Sequence, residues 1–366
     1  MFQNKKSVSL LLTTTKTSKL TTGDKHMKVL LYFEKEEKIK KSGIGRALRH
    51  QIAALTSAGI EYTLDSKDTY DIAHVNTYFP ASKRLVKKLK RKGVPVIVHG
   101  HSTKDDFRNS FRLWKLMKLW FYPNLMWFYK NADFIITPTL YSKNLIDSYK
   151  LGTEVIYVSN GISPKEYAYD EKKIEEFKKF FNIKENEKVV IGIGFPFNRK
   201  GIKDFFAVAK ERPDVKFIWF GFLQRILTQP NVLRAIKHRP SNVIMPGYID
   251  NAIIKGALRY AECLFFPSYE ETEGIVVLEA LASNCPVLIR DIGVYADWLE
   301  DGRDCYKGKN NEEFLKKLDT IMTTDNSTIV KNGYKLVEER TLEKVGQELK
   351  VAYENLLEIF KQRQAK

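Results

Sequence analysis

Cysteine is scarce: the 366 residues hold three, Cys263, Cys285 and Cys305. An odd number without paired spacing excludes a disulfide framework and a cysteine metal site, and suits a reducing compartment. No apolar run reaches the roughly twenty residues that a membrane-crossing helix needs. The pattern Asp-x-Asp, which would let two carboxylates share a divalent ion with a diphosphate, occurs nowhere in the chain. What is present suits a folded chain. Hydrophobic residues make up 43% and aromatics 12%, ample for two cores and too much for a disordered protein. The length predicts two α/β domains of ordinary size.

Negative charge is in short supply in one half only. The net charge is +17, and residues 27–162 hold 23 Lys and Arg against 12 Asp and Glu, whereas residues 163–366 hold 33 against 31. A basic half-molecule implies a polyanionic partner, either nucleic acid or an anionic membrane surface. Residues 1–26 are rich in Thr, Ser and Lys, and Val8–Leu12 is too short for a signal-peptide core. They read as a disordered leader before a functional start at Met27.

From Met27 the pattern alternates. Val29–Phe33, Asp71–Val75, Val94–Val98, Asp133–Thr137 and Val155–Val158 read as strands, with helices over Arg46–Ala58, Ser82–Lys92 and Ser142–Tyr149. After the Asn160-Gly161 turn, strands recur at Lys188–Gly194, Phe217–Phe220, Val243–Met245, Leu264–Pro267 and Val287–Ile289. That is the βαβ signature of two parallel, doubly wound sheets with a hinge near Asn160, and it places a ligand between them at the strand C-termini.

The most informative stretch is Phe265–Ile289, FFPSYEETEGIVVLEALASNCPVLI. A strand ends at Pro267-Ser268, an acidic loop follows, and Gly274 leads into a helix that Asn284 and Pro286 terminate. Backbone N–H groups from Gly274 and Ile275 onward lack internal partners and lie at the positive end of the helix dipole, a ready site for a diphosphate. Glu271 and Glu279 do not belong beside phosphate, and carboxylates at those places suit sugar and ribose hydroxyls. A nucleotide-sugar carries all three groups.

Other residues fit the same ligand. Ser42-Gly43-Ile44-Gly45-Arg46 follows the first strand and opens a helix, where glycines let a phosphate or sugar approach; a plain tight turn is the competing reading. His99-Gly100-His101 ends the third strand, with His101 the better candidate for a sugar hydroxyl and His99 in reserve. Arg199 and Lys200, at a helix start after Gly194-Phe195, are placed to clamp a diphosphate. No third ligand joins the histidines, so no metal site is read.

PSYEETEGIVVLEALASNCPVL resembles the donor-binding segment of the family 4 retaining glycosyltransferases of GT-B fold, in which seven residues separate the two carboxylates as they separate Glu271 and Glu279. The resemblance covers nearly all of residues 27–360. It implies a UDP-sugar donor, His101 and Glu271 on the sugar, Glu279 on the ribose, Tyr248 at the base, and Gly45, Arg199, Lys200, Gly274 and Ile275 around the phosphates. It implies no cofactor and no metal. The family usually has Arg directly after Gly194; Phe195 stands there, and Arg199 is the candidate replacement. Its domain pattern would give residues 27–161 to the acceptor, 162–343 to the nucleotide-sugar, and 344–366 to a helix crossing back to the first domain.

Two segments carry the basic field: Lys83–Lys92, with Lys87 and Lys88, and Arg108–Tyr129, RNSFRLWKLMKLWFYPNLMWFY. Arg108, Arg112, Lys115 and Lys118 interleave with Trp114 and Trp120, the composition of a helix lying in a lipid headgroup layer. No nucleic-acid recognition module appears. HGHSTKDDFRNSF and FNRKGIKDFFAVAKERPDVKFIWFG look most like the Gram-positive glycolipid synthases. The implied activity is transfer of glucose or galactose from UDP to glucosyl-diacylglycerol at the cytoplasmic face of the membrane, by a peripheral enzyme. Diacylglycerol itself, a soluble polysaccharide precursor or a protein are the alternative acceptors, and a nucleotide-sugar sensor without turnover is the non-enzymatic alternative.

Overall fold

The computed structural model describes residues 27–35, 37 and 43–365; the leader, with the disorder expected of it, lies outside the described residues, as does Ser42. Apolar strands flanked by amphipathic helices build two parallel sheets of six strands each. The first contains β1 (Lys28–Tyr32), β2 (Glu61–Thr63), β3 (Ile72–Val75), β4 (Val96–His99), β5 (Phe134–Thr137) and β6 (Glu154–Tyr157), in the order β2-β1-β3-β4-β5-β6. Helices α1 (Gly43–Ser57), α2 (Pro80–Arg91), α3 (Lys104–Phe107), α4 (Trp114–Asn131) and α5 (Leu140–Asp147) connect them. The central strands Ile72–Val75, Val96–His99 and Phe134–Thr137 are buried throughout, as strands covered on both faces must be.

The second sheet contains β7 (Val189–Ile193), β8 (Lys216–Phe220), β9 (Val243–Gly247), β10 (Cys263–Phe266), β11 (Val287–Arg290) and β12 (Tyr306–Gly308), in the order β12-β11-β10-β7-β8-β9. Around it lie α6 (Glu171–Phe180), α7 (Ile202–Glu211), α8 (Pro230–Lys237), α9 (Asn251–Tyr260), α10 (Ile275–Ala282), α11 (Asn311–Thr323) and α12 (Ser327–Glu338). The strands read from sequence fall within two residues of these. The short outer strands β2 and β12 were not among them.

Strand order decides where the site lies. In the first sheet the chain turns outward from β1 to β2 and then returns to the other side of β1 as β3. In the second it winds β7-β8-β9 one way and then starts again beside β7 as β10. A ligand crevice opens at such a switch, beyond the strand C-termini. After β1, the first turn of α1 carries Arg46, and the loop after β3 carries Asn76; the segments after β7 and β10 carry Arg199, Lys200 and Glu271–Gly274.

The halves are joined twice. The chain leaves the first sheet through Ser159-Asn160-Gly161 and returns at Arg340–Leu342, and the two crossings pair: Ile162 N donates to Arg340 O and Leu342 N to Ile162 O, each at 3.0 Å. The last helix, α13 (Leu342–Gln364), then packs Val345, Leu349, Tyr353 and Leu356 into the core of the first sheet. Gly346 makes the close approach to α1 feasible, because a Cβ there would sit 2.2 Å from the Ala54 carbonyl oxygen.

Helix α4 corrects one expectation. Arg108–Leu113 is not helical, and the aromatic run does not share one exposed face. Leu113, Leu116, Met117, Leu119 and Trp120 are exposed, whereas beyond Pro123 the helix turns inward and buries Leu125, Phe128 and Tyr129. Phe121 stacks on Phe107 with centroids 4.0 Å apart, and Trp127 is half-buried beneath the Lys83 ammonium. The sequence supplied two functions in one run: a surface at its start and core at its end.

Candidate active site

Pro267-Ser268 ends β10 and the acidic loop turns back over the β7 loop. Glu271 is buried, and its Oε1 accepts hydrogen bonds from Lys200 Nζ at 2.5 Å, Ser268 Oγ at 2.5 Å and Arg199 Nη1 at 3.5 Å. Burial pushes this carboxyl upward, but the Lys200 and Arg199 charges outweigh it and hold it below its ordinary value. Burial also lowers Lys200, against the pull of Glu271. The expected clamp residues are therefore brought to one carboxylate at the switch point of the second sheet.

Arg199 reaches further than expected. Its Nε donates to Ser110 Oγ at 2.8 Å and its Nη1 to the Glu270 carbonyl at 2.5 Å, while its backbone N–H meets Asn109 O at 3.3 Å. It ties the loop before α4 to the second domain. Phe195 stands beside Phe197, ring centroids 5.7 Å apart, where the family has its usual arginine.

Gly274 caps α10 in the left-handed region, φ 82°, and a Cβ there would lie 2.7 Å from the Tyr295 hydroxyl; only glycine turns the acidic loop into this helix without strain. The first N–H groups of α10, beginning at Ile275, open toward the switch point. Four residues in, Glu279 is buried, and its Oε1 accepts from Arg46 Nη1 and from Tyr167 Oη at 2.8 Å. Arg46 is held above its ordinary value; burial opposes its charge, and Glu279 and Tyr167 more than compensate. Tyr248, exposed after β9, lies close enough to act on the same guanidinium. Gly45 is buried beside Arg46 in the first turns of α1. The ribose-side and base-side candidates thus gather at one end of the crevice, and Glu271 with Lys200 at the other.

His101 belongs to a buried network. Its Nε2 lies 2.8 Å from Asn76 Oδ1, which also accepts from Gln51 Nε2 at 3.1 Å. Since an amide oxygen only accepts, His101 carries its proton on Nε2 and leaves Nδ1 as an acceptor. Burial, with His99 and His74 stacked behind it, holds its pKa well below 6.5. His99 sits deeper in that stack, bonded to Gln51 and His74; it supports rather than faces the crevice.

Sequence reasoning passed over three carboxylates here. Asp106 caps α3, accepting from Thr103 N at 2.8 Å, and burial raises it to about 6 despite Arg199. Glu270 takes the Tyr141 hydroxyl on both oxygens, 2.9 and 3.1 Å, and is raised to about 7 by burial, with Asp105 and Asp106 adding to the shift. Glu273 clasps the hinge, accepting from Ser159 Oγ at 2.5 Å and Asn160 Nδ2 at 2.6 Å. The Thr103-x-x-Asp106 spacing of a capping box was the one local signal available. An open cleft of about 590 Å³ lies beside this end, walled by Asp105, Arg108 and Asn109 from the first domain and Arg199, Tyr269 and Glu270 from the second.

Among the described residues no group of His, Cys, Asp or Glu has the arrangement of a metal site. Nor is any described helix long and apolar enough to cross a membrane. Of the surface candidates, Lys87, Lys88, Arg112, Lys115 and Trp120 are exposed and Trp114 and Lys118 half-buried, whereas Arg108, also exposed, lines the cleft.

Comparison with known proteins agrees with this geometry. The pattern of the family described as "Glycosyl transferases group 1" matches residues 173–336, and that of "Glycosyltransferase Family 4" matches residues 58–166. A processive diacylglycerol alpha-glucosyltransferase of Acholeplasma laidlawii is 51% identical over 334 residues, 91% of this chain and 99% of its own. An alpha-galactosylglucosyldiacylglycerol synthase of Streptococcus pneumoniae is 23% identical, over 77% of this chain and 76% of its own. In fold, the chain is similar to Anabaena HepE, solved with UDP and glucose, at a TM-score of 0.72 and 15% identity over 90% of this chain and 100% of that one. A sucrose-phosphate synthase from Thermosynechococcus elongatus gives 0.76 at 16% identity, over 91% of this chain and 100% of that one. With a relative half identical along nine tenths of its length, the chain belongs to the family 4 glycosyltransferases of GT-B fold.

Proposed function

We propose that this glycosyltransferase moves glucose from UDP-glucose to the free hydroxyl of diacylglycerol, and again to the glucosylated product, with retention at the anomeric carbon. The observation that carries the acceptor and donor is the 51% identity to a processive diacylglycerol alpha-glucosyltransferase along almost the whole of both chains. The expected glucosyl-diacylglycerol acceptor becomes the second of two substrates, and glucose is preferred to galactose on the same ground.

The crevice supports the chemistry. Uracil would lie by Tyr248, and the ribose at Glu279, in reach of the carboxylate that Arg46 and Tyr167 orient. The diphosphate would face the α10 N–H groups, Lys200 and Arg199, donors already fixed by the fold and therefore stabilising the leaving charge without reorganisation. His101 Nδ1 accepts from a sugar hydroxyl, and Glu271, ionised and polarised by Lys200, orients the sugar ring. The acceptor hydroxyl attacks the anomeric carbon on the face that UDP leaves, and its proton passes to the departing phosphate oxygen. The open polar cleft beside Glu270 admits the acceptor's head, and the basic, apolar surface of α2 and α4 rests on an anionic bilayer at the cytoplasmic face, where the lipid is.

Incubation with UDP-glucose or UDP-galactose and vesicles of phosphatidylglycerol carrying either diacylglycerol or glucosyl-diacylglycerol tests this. A one-sugar lipid followed by a two-sugar lipid, from UDP-glucose only, is expected. A product from UDP-galactose, or none from diacylglycerol while glucosyl-diacylglycerol is used, would contradict the donor or the first acceptor.

A further inference from the structure

The apolar surface of α4 does not stop at the edge of the first domain. Leu113 is 58% and Trp120 60% exposed, and from the second domain the loop after β8 adds Phe222 at 49% and Ile226 at 85%. The two are in contact: Arg112 N donates to Leu227 O at 2.6 Å, and Gln229 Nε2 to Asn109 O at 3.0 Å. Leu113 and Ile226, both exposed, each adjoin a partner of the first bond in sequence, so the two exposed segments meet at this junction of the domains. Phe111 packs on Phe197 just below, ring centroids 5.3 Å apart.

Charge follows the same outline. Residues 72–104 and 107–132 contain no Asp or Glu, and neither do residues 215–249, although the second half is nearly neutral as a whole. Three acid-free stretches, two from one domain and one from the other, thus supply this face, with Arg112, Lys115 and Arg225 exposed among its apolar side chains. Exposed Trp, Leu and Ile in stretches that carry cations and no acids suit the headgroup region of an anionic bilayer.

We propose that the bilayer contact is shared by both domains: the Phe222–Gln229 loop docks on the lipid beside α4, so membrane binding holds the domains in the clasped arrangement seen here, with Arg199 bridged to Ser110. This rests on the membrane reading above and goes beyond it. The second domain, which binds the nucleotide-sugar in that reading, is itself a membrane-contacting part. Its closure over the first becomes tighter on a bilayer than in solution, because a surface split between two bodies is buried fully only when they are aligned.

The test compares three forms of the full chain: wild type, the F222D/I226D double variant and W120D. Each is measured for sedimentation with vesicles containing 30 mol % phosphatidylglycerol, and for transfer to diacylglycerol in those vesicles and in detergent micelles. The double variant is expected to bind vesicles about tenfold more weakly, about 1.4 kcal/mol, and to lose transfer on vesicles in proportion. In micelles it should stay within about twofold of wild type, which also shows that it folds. If it binds and works on vesicles as wild type does while W120D fails, the contact belongs to the first domain alone and the proposal falls. Undiminished binding by W120D as well would instead remove the membrane reading on which the proposal rests.

Discussion

Arg46 and Glu279, 233 residues apart in sequence, form an ion pair across the crevice, with Tyr167 donating to the same carboxylate oxygen. Neither half holds this pair alone. Removing the cation leaves a buried carboxylate with one hydroxyl partner, whereas removing both charges leaves no uncompensated buried charge. Breaking a buried pair from one side costs about 3 kcal/mol, the low end of the usual range because Arg46 is partly exposed and Tyr167 remains. Arg46→Ala is therefore expected to lower stability by about that amount in urea unfolding, and R46A/E279Q to recover most of it.

A second prediction concerns the tautomer of His101. Asn76→Asp places a carboxylate against Nε2 while preserving both hydrogen bonds that Oδ1 accepts. The imidazole would then bind a second proton in the accessible range, and Nδ1 would change from acceptor to donor. The wild-type rate is expected to show no histidine inflection between about pH 6 and 8, since burial keeps His101 neutral there. The variant should lose activity as pH falls, with an inflection in that window. A pH–rate profile for each decides it, and a flat profile for N76D would remove the sugar-accepting role of Nδ1.

Glu270 gives a stability prediction with a definite sign. Burial raises its carboxyl from the ordinary 4.5 to about 7, so the native state holds a proton that the unfolded chain releases. Between those values the native state binds more protons, and stability falls as pH rises. Urea midpoints of wild type should decline from about pH 4.5 to 7, and Glu270→Gln should flatten that part of the curve. The difference between the two curves isolates Glu270 from Asp106, which titrates lower, at about 6.

These residues show what could be read in advance. The acidic loop, Gly274 and the following helix were legible because their chemistry is local: a strand end, a glycine and a helix start lie within a few residues of one another. The parallel strands were legible because burial on both faces leaves continuous apolar runs. β2 and β12 were missed because three-residue outer strands have too few side chains to show a period. Glu279 illustrates the larger gap. Its place on the helix was plain, but its partners Arg46 and Tyr167 come from distant segments that only the closed fold brings together, as do the hinge clasp of Glu273 and the Arg199–Ser110 bridge. The aromatic run of α4 was misread for a related reason: composition does not say where a helix turns from surface to core.

The proposed transfer with retention takes place at the carboxylate held by Lys200 and Arg199. The measurement that tests it most directly is the anomeric configuration of the first lipid product, determined by NMR, alongside the transfer rates of wild type and Glu271→Gln. An α-linked glucosyl lipid is expected from the α-linked donor, with the variant at least about a hundredfold slower in kcat, about 2.7 kcal/mol of lost transition-state stabilisation, at an unchanged KM for the lipid. A β-linked product, or a variant as fast as wild type, would contradict the account.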